Sequence, residues 1–461
     1  MRTEPQMKNR RVRYQEILQN SPVLFSPIHK MEIPKNDPIS IVAGYVLAPA
    51  LSGFVQWLLA QAEKNGIRRL YFLARDGYFP CQAARIFCQT LDIPIECRYL
   101  SVSRYSLRLP LFHLDREMAL HDICRNAIHV TITKLLQRAG IKQENHENIL
   151  QTLALPYGEK QPLSRADLIA IRQRMAHCPE FLEAMEHASK QAFPALMGYL
   201  RQEGLFEDVP YAIVDSGWLG SMQKSLQTML RLQKEGDELQ GYYWGLYRIP
   251  TGMHRKNYHC YFFEPEHHLK EKVFFNNSVY EAVFSAPHGT TIGYRKENKQ
   301  ISPIYGACPK KQIQFLHRIK PIFDSYLHLM AKECLPTMDN REFSTQRETI
   351  GKLLALFMCR PTKSEASAFG SLPFSDDVLE NGERPLAANL TEQELQAGHL
   401  RAKLFATVNP GAGRFQESAW YEASAVLHSS RAKRHLRQCT LYKYLRHFKR
   451  PSGEMRRSRN V

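Results

Sequence analysis

The segment Tyr211–Leu230, with the sequence YAIVDSGWLGSMQKSLQTML, constrains the fold of this chain more than any other stretch. Its first four residues are apolar and partly β-branched, which is typical of a short buried strand. We expect the strand to end at Asp215, which would present a carboxylate at the carboxyl edge of a sheet, and a turn to follow at once. The pattern therefore predicts one strand of an α/β sheet with an acidic tip.

Serine and glycine residues follow this tip in the order expected of a ligand-binding loop. Ser216 comes directly after Asp215, and Gly217 and Gly220 permit the positive φ angles or the close backbone approach that such a loop requires. Ser221 is a candidate cap for a helix whose apolar residues recur at helical spacing, namely Met222, Leu226 and Leu230. A helix start of this kind binds anions, usually phosphate, although an ordinary strand-to-helix turn has the same composition.

The same succession of elements occurs earlier in the chain. A strand, a helix and a second strand are predicted at Leu70–Leu73, Phe79–Thr90 and Ile95–Val102, and further strands at Gly241–Tyr247 and Tyr258–Phe263. Strand, helix and strand within about 35 residues form a βαβ unit of a parallel sheet. The predicted fold class is α/β, with a Rossmann-like, mainly parallel sheet, a helical insertion and a helical C-terminal region.

Polar residues follow the first two of these strands. Arg75, Asp76 and Gly77 come after the first, where the guanidinium suits a phosphate and the carboxylate suits a metal or a sugar hydroxyl. A plain surface turn is the alternative interpretation of this tripeptide. Ser103 and Arg104 follow the second strand and suit an oxyanion.

Two acids therefore lie at strand ends of one predicted sheet. If their strands are neighbours, Asp76 and Asp215 share a crevice and can hold Mg²⁺ or divide the roles of general acid and general base. Glu281 is a candidate third carboxylate, in a segment of helix followed by loop. In this hypothesis Asp76 and Asp215 are the catalytic and metal-binding residues, and the neighbouring arginine, serine and glycine residues and Glu281 bind substrate.

The chain has 461 residues and divides by pattern into four parts. We predict a basic, poorly ordered N-terminal arm at 1–37, an α/β core at 38–300 with the helical insertion at about 110–209, a helical and loop-rich region at 301–430, and a basic amphipathic tail at 431–461. The segment Pro38–Ala62 lacks charged residues, but its polar residues and its single apolar face favour a core helix over a membrane span.

The cysteines and the charge indicate a compartment and a partner. Ten scattered cysteines without a CxxC pair and no apolar signal core predict a cytoplasmic protein. Of the net charge of +17, residues 431–461 carry +10. A basic amphipathic helix in this tail suits the anionic inner surface of a membrane, or an acidic protein partner, more than nucleic acid. The alternative is a terminal helix that docks on its own domain.

Four blocks in order resemble bacterial proteins described as predicted hydrolases of the haloacid dehalogenase (HAD)-like superfamily, which are associated with surface polysaccharide synthesis. The blocks are GYVLAPALSGFVQWLLAQAEKNGIRRLYFLARDGY, RYLSVSR, VDSGWLGSMQKSL and YEAVFSAPHGTTIGY, which together span 44–294. The resemblance implies a hydrolase or phosphotransfer enzyme acting on a phosphorylated or nucleotide-linked sugar, with the region here lying downstream of the family's DxD domain. No DxD motif occurs in the chain, and Gly217 stands where the second acid would follow Asp215.

Two other interpretations remain open at this point. The order of strand, RDG turn and glycine-containing loop is similar at the level of fold to type I phosphoribosyltransferases, which implies a pyrophosphate-bearing ligand. Alternatively, the chain is a non-catalytic scaffold of a membrane-associated polysaccharide assembly, recruited through its basic tail.

Overall fold

A computed structural model describes residues 4–127, 130–233, 238–333, 340–375, 384–408 and 417–448. Within them, a five-stranded parallel sheet is covered by helices on both faces, so the predicted α/β fold class with its C-terminal helices is confirmed.

Most of the N-terminal segment is helical where we predicted a poorly ordered arm, and that prediction was wrong for residues 4–29. Helices α1 (Glu4–Leu18) and α2 (Pro22–His29) bury Tyr14, Leu18 and Leu24 in the main core. The Arg10 guanidinium pairs with the Glu365 carboxylate at 3.0 Å, and the Tyr14 hydroxyl donates to the same carboxylate at 2.6 Å. A buried ion pair and a buried apolar face therefore hold this basic segment against the C-terminal helices.

The uncharged segment forms a continuous core helix. It runs through α3 (Pro38–Val42), a π-helical turn (Ala43–Leu47) and α4 (Ala48–Lys64). The π-helical turn precedes Pro49, whose missing N–H would leave a gap in a regular helix at that point. Among the described residues this is the one helix long and apolar enough to cross a membrane, and 89% of its most apolar window is buried inside the protein.

The sheet strands follow in the order β2-β1-β3-β4-β5. They are β1 (Arg69–Leu73), β2 (Glu96–Leu100), β3 (Tyr211–Trp218), β4 (Gln240–Leu246) and β5 (Tyr258–Phe263), with α5 (Tyr78–Leu91) between β1 and β2. Strand β1 pairs in parallel with β2 on one side and with β3 on the other. The chain thus proceeds outward in opposite directions from β1 and β3, which makes their carboxyl ends the topological switch point where α/β sheets bind ligands.

The helical insertion lies between β2 and β3, as predicted. Its helices are α6 (Arg104–Arg108), α7 (Arg116–Ile123), α8 (Ile132–Arg138), α9 (His146–Leu153), α10 (Arg165–Ala176) and α11 (Pro179–Gln202), with short 3₁₀ turns at Leu109–Leu111 and Gln143–Asn145. Most of the insertion packs around a hydrophobic cluster of its own, which includes Ile132, Ile171 and Phe181. The C-terminal half of α11 instead packs on the sheet, where Leu196 and Leu200 contact the cluster of Tyr71 and Ile213.

Helix α12 (Ser221–Arg231) follows β3 and covers the same face of the sheet as α11. Helix α5 covers the opposite face, where it packs with Leu70 and Phe72. After β5 come α13 (Leu269–Val273), α14 (Asn277–Val283) and an antiparallel hairpin of β6 (Thr291–Glu297) and β7 (Gln300–Tyr305). We did not predict the hairpin, and it spans residue 300, where we had placed a boundary.

The C-terminal region is mostly helical and packs on the main core. Its elements are α15 (Lys310–Glu333), α16 (Asn340–Cys359), α17 (Lys363–Gly370), the short strands β8 (Pro373–Phe374) and β9 (Arg384–Pro385), α18 (Glu392–Ala397), α19 (Leu400–Val408), α20 (Tyr421–His428) and α21 (Ala432–Phe448). Helix α21, the described part of the predicted tail, docks on the domain through an ion pair of Lys443 with Glu422 at 2.6 Å and a bond of His435 to Glu392 at 3.0 Å. Residues 449–461 lie outside the described residues.

Candidate functional site

The turn after β1 places Asp76 at the switch point. The Gly77 N–H donates to the Leu73 carbonyl at 2.9 Å, which folds the chain back sharply before α5 begins at Tyr78. A Cβ atom at Gly77 would lie 2.5 Å from that carbonyl oxygen, so the tight turn requires glycine. Gly77 therefore shapes the turn that carries Arg75 and Asp76 to the carboxyl edge of the sheet.

Strand β3 is longer than the sequence indicated. It runs through Asp215, Ser216 and Gly217 to Trp218, and Gly217 pairs with Gly245 of β4. Gly217 has φ +111°, and a Cβ atom there would lie 2.4 Å from the Gly245 carbonyl oxygen. The prediction that a turn follows Asp215 at once was wrong. Gly217 instead allows the backbones of β3 and β4 to pair closely at this point.

The start of α12 also differs from the prediction. Gly220, with φ +60°, occupies the N-cap position, and Ser221 is the first helical residue, so Ser221 does not cap the helix. The segment between strand and helix is only Leu219 and Gly220. The ligand-binding loop that we expected after Asp215 is therefore a strand end and a short turn.

Three carboxyl groups from separate elements converge at this point. Asp76 follows β1, Asp215 belongs to β3, and Glu281 lies on α14. The Ser216 hydroxyl donates to Asp76 Oδ2 at 2.5 Å, and the Trp218 indole N–H donates to Glu281 Oε1 at 2.6 Å. Two side chains at the end of β3 thus fix two acids that come from other elements.

These carboxyl groups have raised pKa values. Each residue is partly accessible to solvent, yet the surrounding protein is dense enough for burial to be the main cause of the shift. Burial, helped by the charge of Asp76, raises the pKa of Asp215 to about 7 and that of Glu281 to about 8. Burial also raises the pKa of Asp76, against the hydrogen bond from Ser216 and the charge of Arg75. Protons therefore exchange at this site near neutral pH.

Two predicted arginines lie within electrostatic range of the acids. The charge of Arg75 lowers the pKa of Asp76 and Glu281, and that of Arg104 lowers the pKa of Asp215 and Glu281. Arg104 begins α6, and its Nε atom is buried with no hydrogen-bond partner among the described residues. The geometry thus brings together Arg75, Asp76, Arg104, Asp215 and Glu281, which the sequence had only suggested.

Ser103 lies close to this group, but its hydroxyl is engaged in hydrogen bonds within the protein. Its hydroxyl donates to the Thr291 carbonyl at 2.6 Å and accepts from the Ser106 N–H at 3.0 Å. It therefore caps α6 and ties that helix to β6, which positions the neighbouring Arg104.

Several aromatic residues at the site were not anticipated. The Tyr99 hydroxyl is bonded to His288 Nε2 at 2.8 Å, and the charges of Asp76 and Arg75 both act on the pKa of Tyr99, which burial raises. The pKa of the fully buried Tyr280 is raised well above its usual value, mainly by burial and then by Asp76 and Asp215. Tyr99, Tyr280 and His288 lie within the four sequence blocks, but a single sequence gives no sign of which side chains in a block meet.

The described residues contain no group of three or more His, Cys, Asp or Glu side chains arranged to hold a metal. Mg²⁺ is usually bound by one or two protein carboxylates together with substrate phosphates and water. Asp76 and Asp215 provide such a pair. These two residues therefore fit Mg²⁺ only when a bound phosphate and water supply the remaining ligands.

Comparison with known proteins does not assign the chain to a family. No protein-family model matches it, and no curated protein matches it.

Proposed function

We propose that the chain is an enzyme that carries out acid–base chemistry on a phosphorylated or nucleotide-linked sugar, in the manner of a HAD-like hydrolase or phosphotransfer enzyme of bacterial surface polysaccharide metabolism. The observation that carries the proposal is the convergence of Asp76, Asp215 and Glu281 at the switch point of the sheet, with Arg75 and Arg104 beside them. Carboxyl groups with pKa values near neutrality serve as general acids and bases, since each then exists in both protonation states at working pH.

The three carboxyl groups differ in their surroundings, which suggests separate roles. Glu281 has a higher pKa than Asp215 and keeps most of its proton at pH 7, so it suits the general acid that protonates a leaving oxygen. Asp215 is about half ionised at that pH and suits the base or nucleophile. In this scheme Glu281 supplies the second carboxyl group that a DxD motif would place at Gly217.

The charge of the site favours an anionic ligand when it is partly protonated. Arg75 and Arg104 bring two positive charges, and protonation of Glu281 with partial protonation of Asp215 reduces the negative charge that opposes them. Guanidinium groups bind phosphate oxygens in a planar, two-point geometry. Mg²⁺, held by Asp76, Asp215 and the phosphate, would add positive charge at the same place.

A ligand screen by thermal shift tests this function and separates it from the phosphoribosyltransferase interpretation. Sugar phosphates and nucleotide sugars with Mg²⁺ should raise the Tm of the wild type, and Asp215→Asn should lose the Mg²⁺-dependent part of the increase. Glu147→Gln, an exposed acid on α9, is the control. Stabilisation by phosphoribosyl pyrophosphate alone would favour the transferase, and unchanged Tm with every ligand would favour a scaffold.

A second candidate function, recruitment to an anionic membrane, is favoured by the outer face of α21. Leu441, Leu445 and Phe448 are 50%, 37% and 72% exposed. Their spacing places them on one face of the helix, which Arg434 and Arg437 continue toward its start. Apolar side chains flanked by arginines suit the headgroup region of a bilayer with anionic lipids. This surface is compatible with an enzyme that works at the cytoplasmic face of a membrane.

A further inference from the structure

A second cluster of arginines surrounds a small cavity in the helical insertion. Arg104 and Arg108 come from α6, Arg125 follows α7, and Arg138 ends α8; Asp122 is the acid among them. The cavity has a volume of about 30 Å³. Arg104 also lies within electrostatic range of Asp215 and Glu281, so the cavity adjoins the carboxyl site.

Two of these arginines have structural partners. Arg108 forms an ion pair with Asp122. Arg138 donates to the carbonyl oxygens of Ile123 and Arg125 at 3.1 and 2.7 Å. The Ile123 carbonyl belongs to the last residue of α7 and the Arg125 carbonyl follows two residues later. Helix ends leave carbonyl acceptors unpaired, so Arg138 caps the C-terminus of α7.

The remaining two arginines lack such an explanation. Arg104 Nε is buried without a hydrogen-bond partner, and no ion pair joins Arg125 to an acid, among the residues that the structure describes. Burial, together with the charges of Arg104 and Arg108, lowers the pKa of Arg125 to about 9. Like charges gathered in a half-buried cavity repel one another unless an anion enters. Packing of the protein alone therefore does not explain this cluster of arginines.

We propose that this cavity binds one compact oxyanion, the phosphate group of a ligand, through Arg104 and Arg125. Its volume exceeds that needed for a water molecule and is far below that of a nucleoside site. Two guanidinium groups, one from the start of α6 and one from the segment after α7, can bind the oxygens of a tetrahedral anion. If the proposed function holds, Arg104 joins this phosphate subsite to the acids, and the ligand carries its phosphate here while its reacting group lies at Asp215 and Glu281.

Titration calorimetry with orthophosphate and with a sugar phosphate, both without Mg²⁺, tests the cavity directly. Arg125→Gln should weaken binding of each about tenfold or more, since a charge-assisted hydrogen bond is lost. Arg116→Gln, which removes the same charge from an exposed residue of α7, should bind as the wild type does. Tighter binding of the sugar phosphate than of orthophosphate would identify the ligand as a phosphorylated sugar and not the free ion.

Stability supplies the second measurement. Because Arg125 sits among like charges, Arg125→Gln should keep or raise the Tm measured without ligand, whereas a structural arginine would lower it. Equal affinity of the wild type and Arg125→Gln, or a lower Tm of that variant, would overturn the proposed subsite. Phosphate binding that depends on Arg125, in a protein that turns over no sugar phosphate, would sustain the subsite and refute the proposed function alone.

Discussion

Ser216 and Asp76 join two neighbouring strands at the point where the sheet reverses direction. The Ser216 hydroxyl, on β3, donates to the Asp76 carboxylate, in the turn after β1, over 2.5 Å. Parallel pairing of β1 with β3 brings these residues together from positions 140 residues apart in the chain. The bond holds Asp76 in place and favours its ionised form, against the burial that raises its pKa.

Ser216→Ala should therefore destabilise the protein and disturb the site. Removing the donor leaves a recessed carboxylate short of a partner, at a cost of about 1–3 kcal/mol in the free energy of unfolding. Urea denaturation measures this change. Ser225→Ala is the matched control, because among the described residues that hydroxyl bonds only to the Ser221 carbonyl of its own helix, and its loss should cost well under half as much. Equal losses of stability in the two variants would mean that the bond to Asp76 contributes no more than a hydrogen bond within a helix.

Asp215 should make stability fall as pH rises. Its folded pKa of about 7 lies above the unfolded value of about 3.9, so between those values the folded protein binds more protons than the unfolded chain. Stability is thus lost progressively from about pH 4 to about pH 8. Asp215→Asn removes this contribution and should be more stable than the wild type at pH 8, on the order of 2 kcal/mol, but little different at pH 4.

Thermal denaturation of both proteins across this pH range measures the effect. Asp324→Asn, at a surface acid paired with Lys320, should show no such growing difference. A gap between the wild type and Asp215→Asn that stays constant with pH would contradict the raised pKa.

Mg²⁺ should bind in competition with protons. Its oxygen ligands must be ionised, and Asp215 ionises around pH 7, so stabilisation by Mg²⁺ with a sugar phosphate should be larger at pH 8 than at pH 6. Adding EDTA should reverse it, and Asp76→Asn should abolish it. Stabilisation that is the same at both pH values and survives in Asp76→Asn would place any metal elsewhere.

The outer face of α21 should bind anionic vesicles. Replacing Leu441, Leu445 and Phe448 by serine removes most of the apolar area that would enter the bilayer, and should weaken binding about tenfold or more in a sedimentation assay. The control replaces three other exposed apolar residues, at Val12, Ile169 and Leu232, which are scattered over the surface. Binding that is equal for both variants, or equal for neutral and anionic vesicles, would contradict this role.

Local patterns were sufficient to locate the strands of the sheet and its parallel character. The apolar runs at Leu70–Leu73 and Tyr211–Val214 became strands because such runs are stable only when buried on both faces. The full length of β3 was missed, since Ser216 and Gly217 have low strand propensity and are held there by pairing with β4. The N-terminal helices were missed for a similar reason, because the partner of Arg10 is Glu365, far away in sequence.

The acids of the site were identified from the sequence, but their arrangement was not. Asp76 and Asp215 stood out as acids following apolar runs, and the residues that hold the site together did not. Trp218 meets Glu281 through the packing of α14 on β3, a tertiary contact that no local spacing encodes. The arginine cavity likewise joins three helices whose packing the helical periodicity leaves undetermined.

The most direct test is hydrolysis of a panel of sugar phosphates and nucleotide sugars by the wild type, Asp215→Asn, Glu281→Gln and the control Glu147→Gln. Orthophosphate is the measured product of the sugar phosphates, and the free nucleotide is the measured product of the nucleotide sugars. We predict turnover by the wild type and the control, and a decrease in kcat/KM of about 10²–10⁴ for each site variant, as expected when a general acid or base is removed. Absence of turnover by the wild type across the panel, or turnover that persists unchanged in Asp215→Asn and Glu281→Gln, would contradict the account.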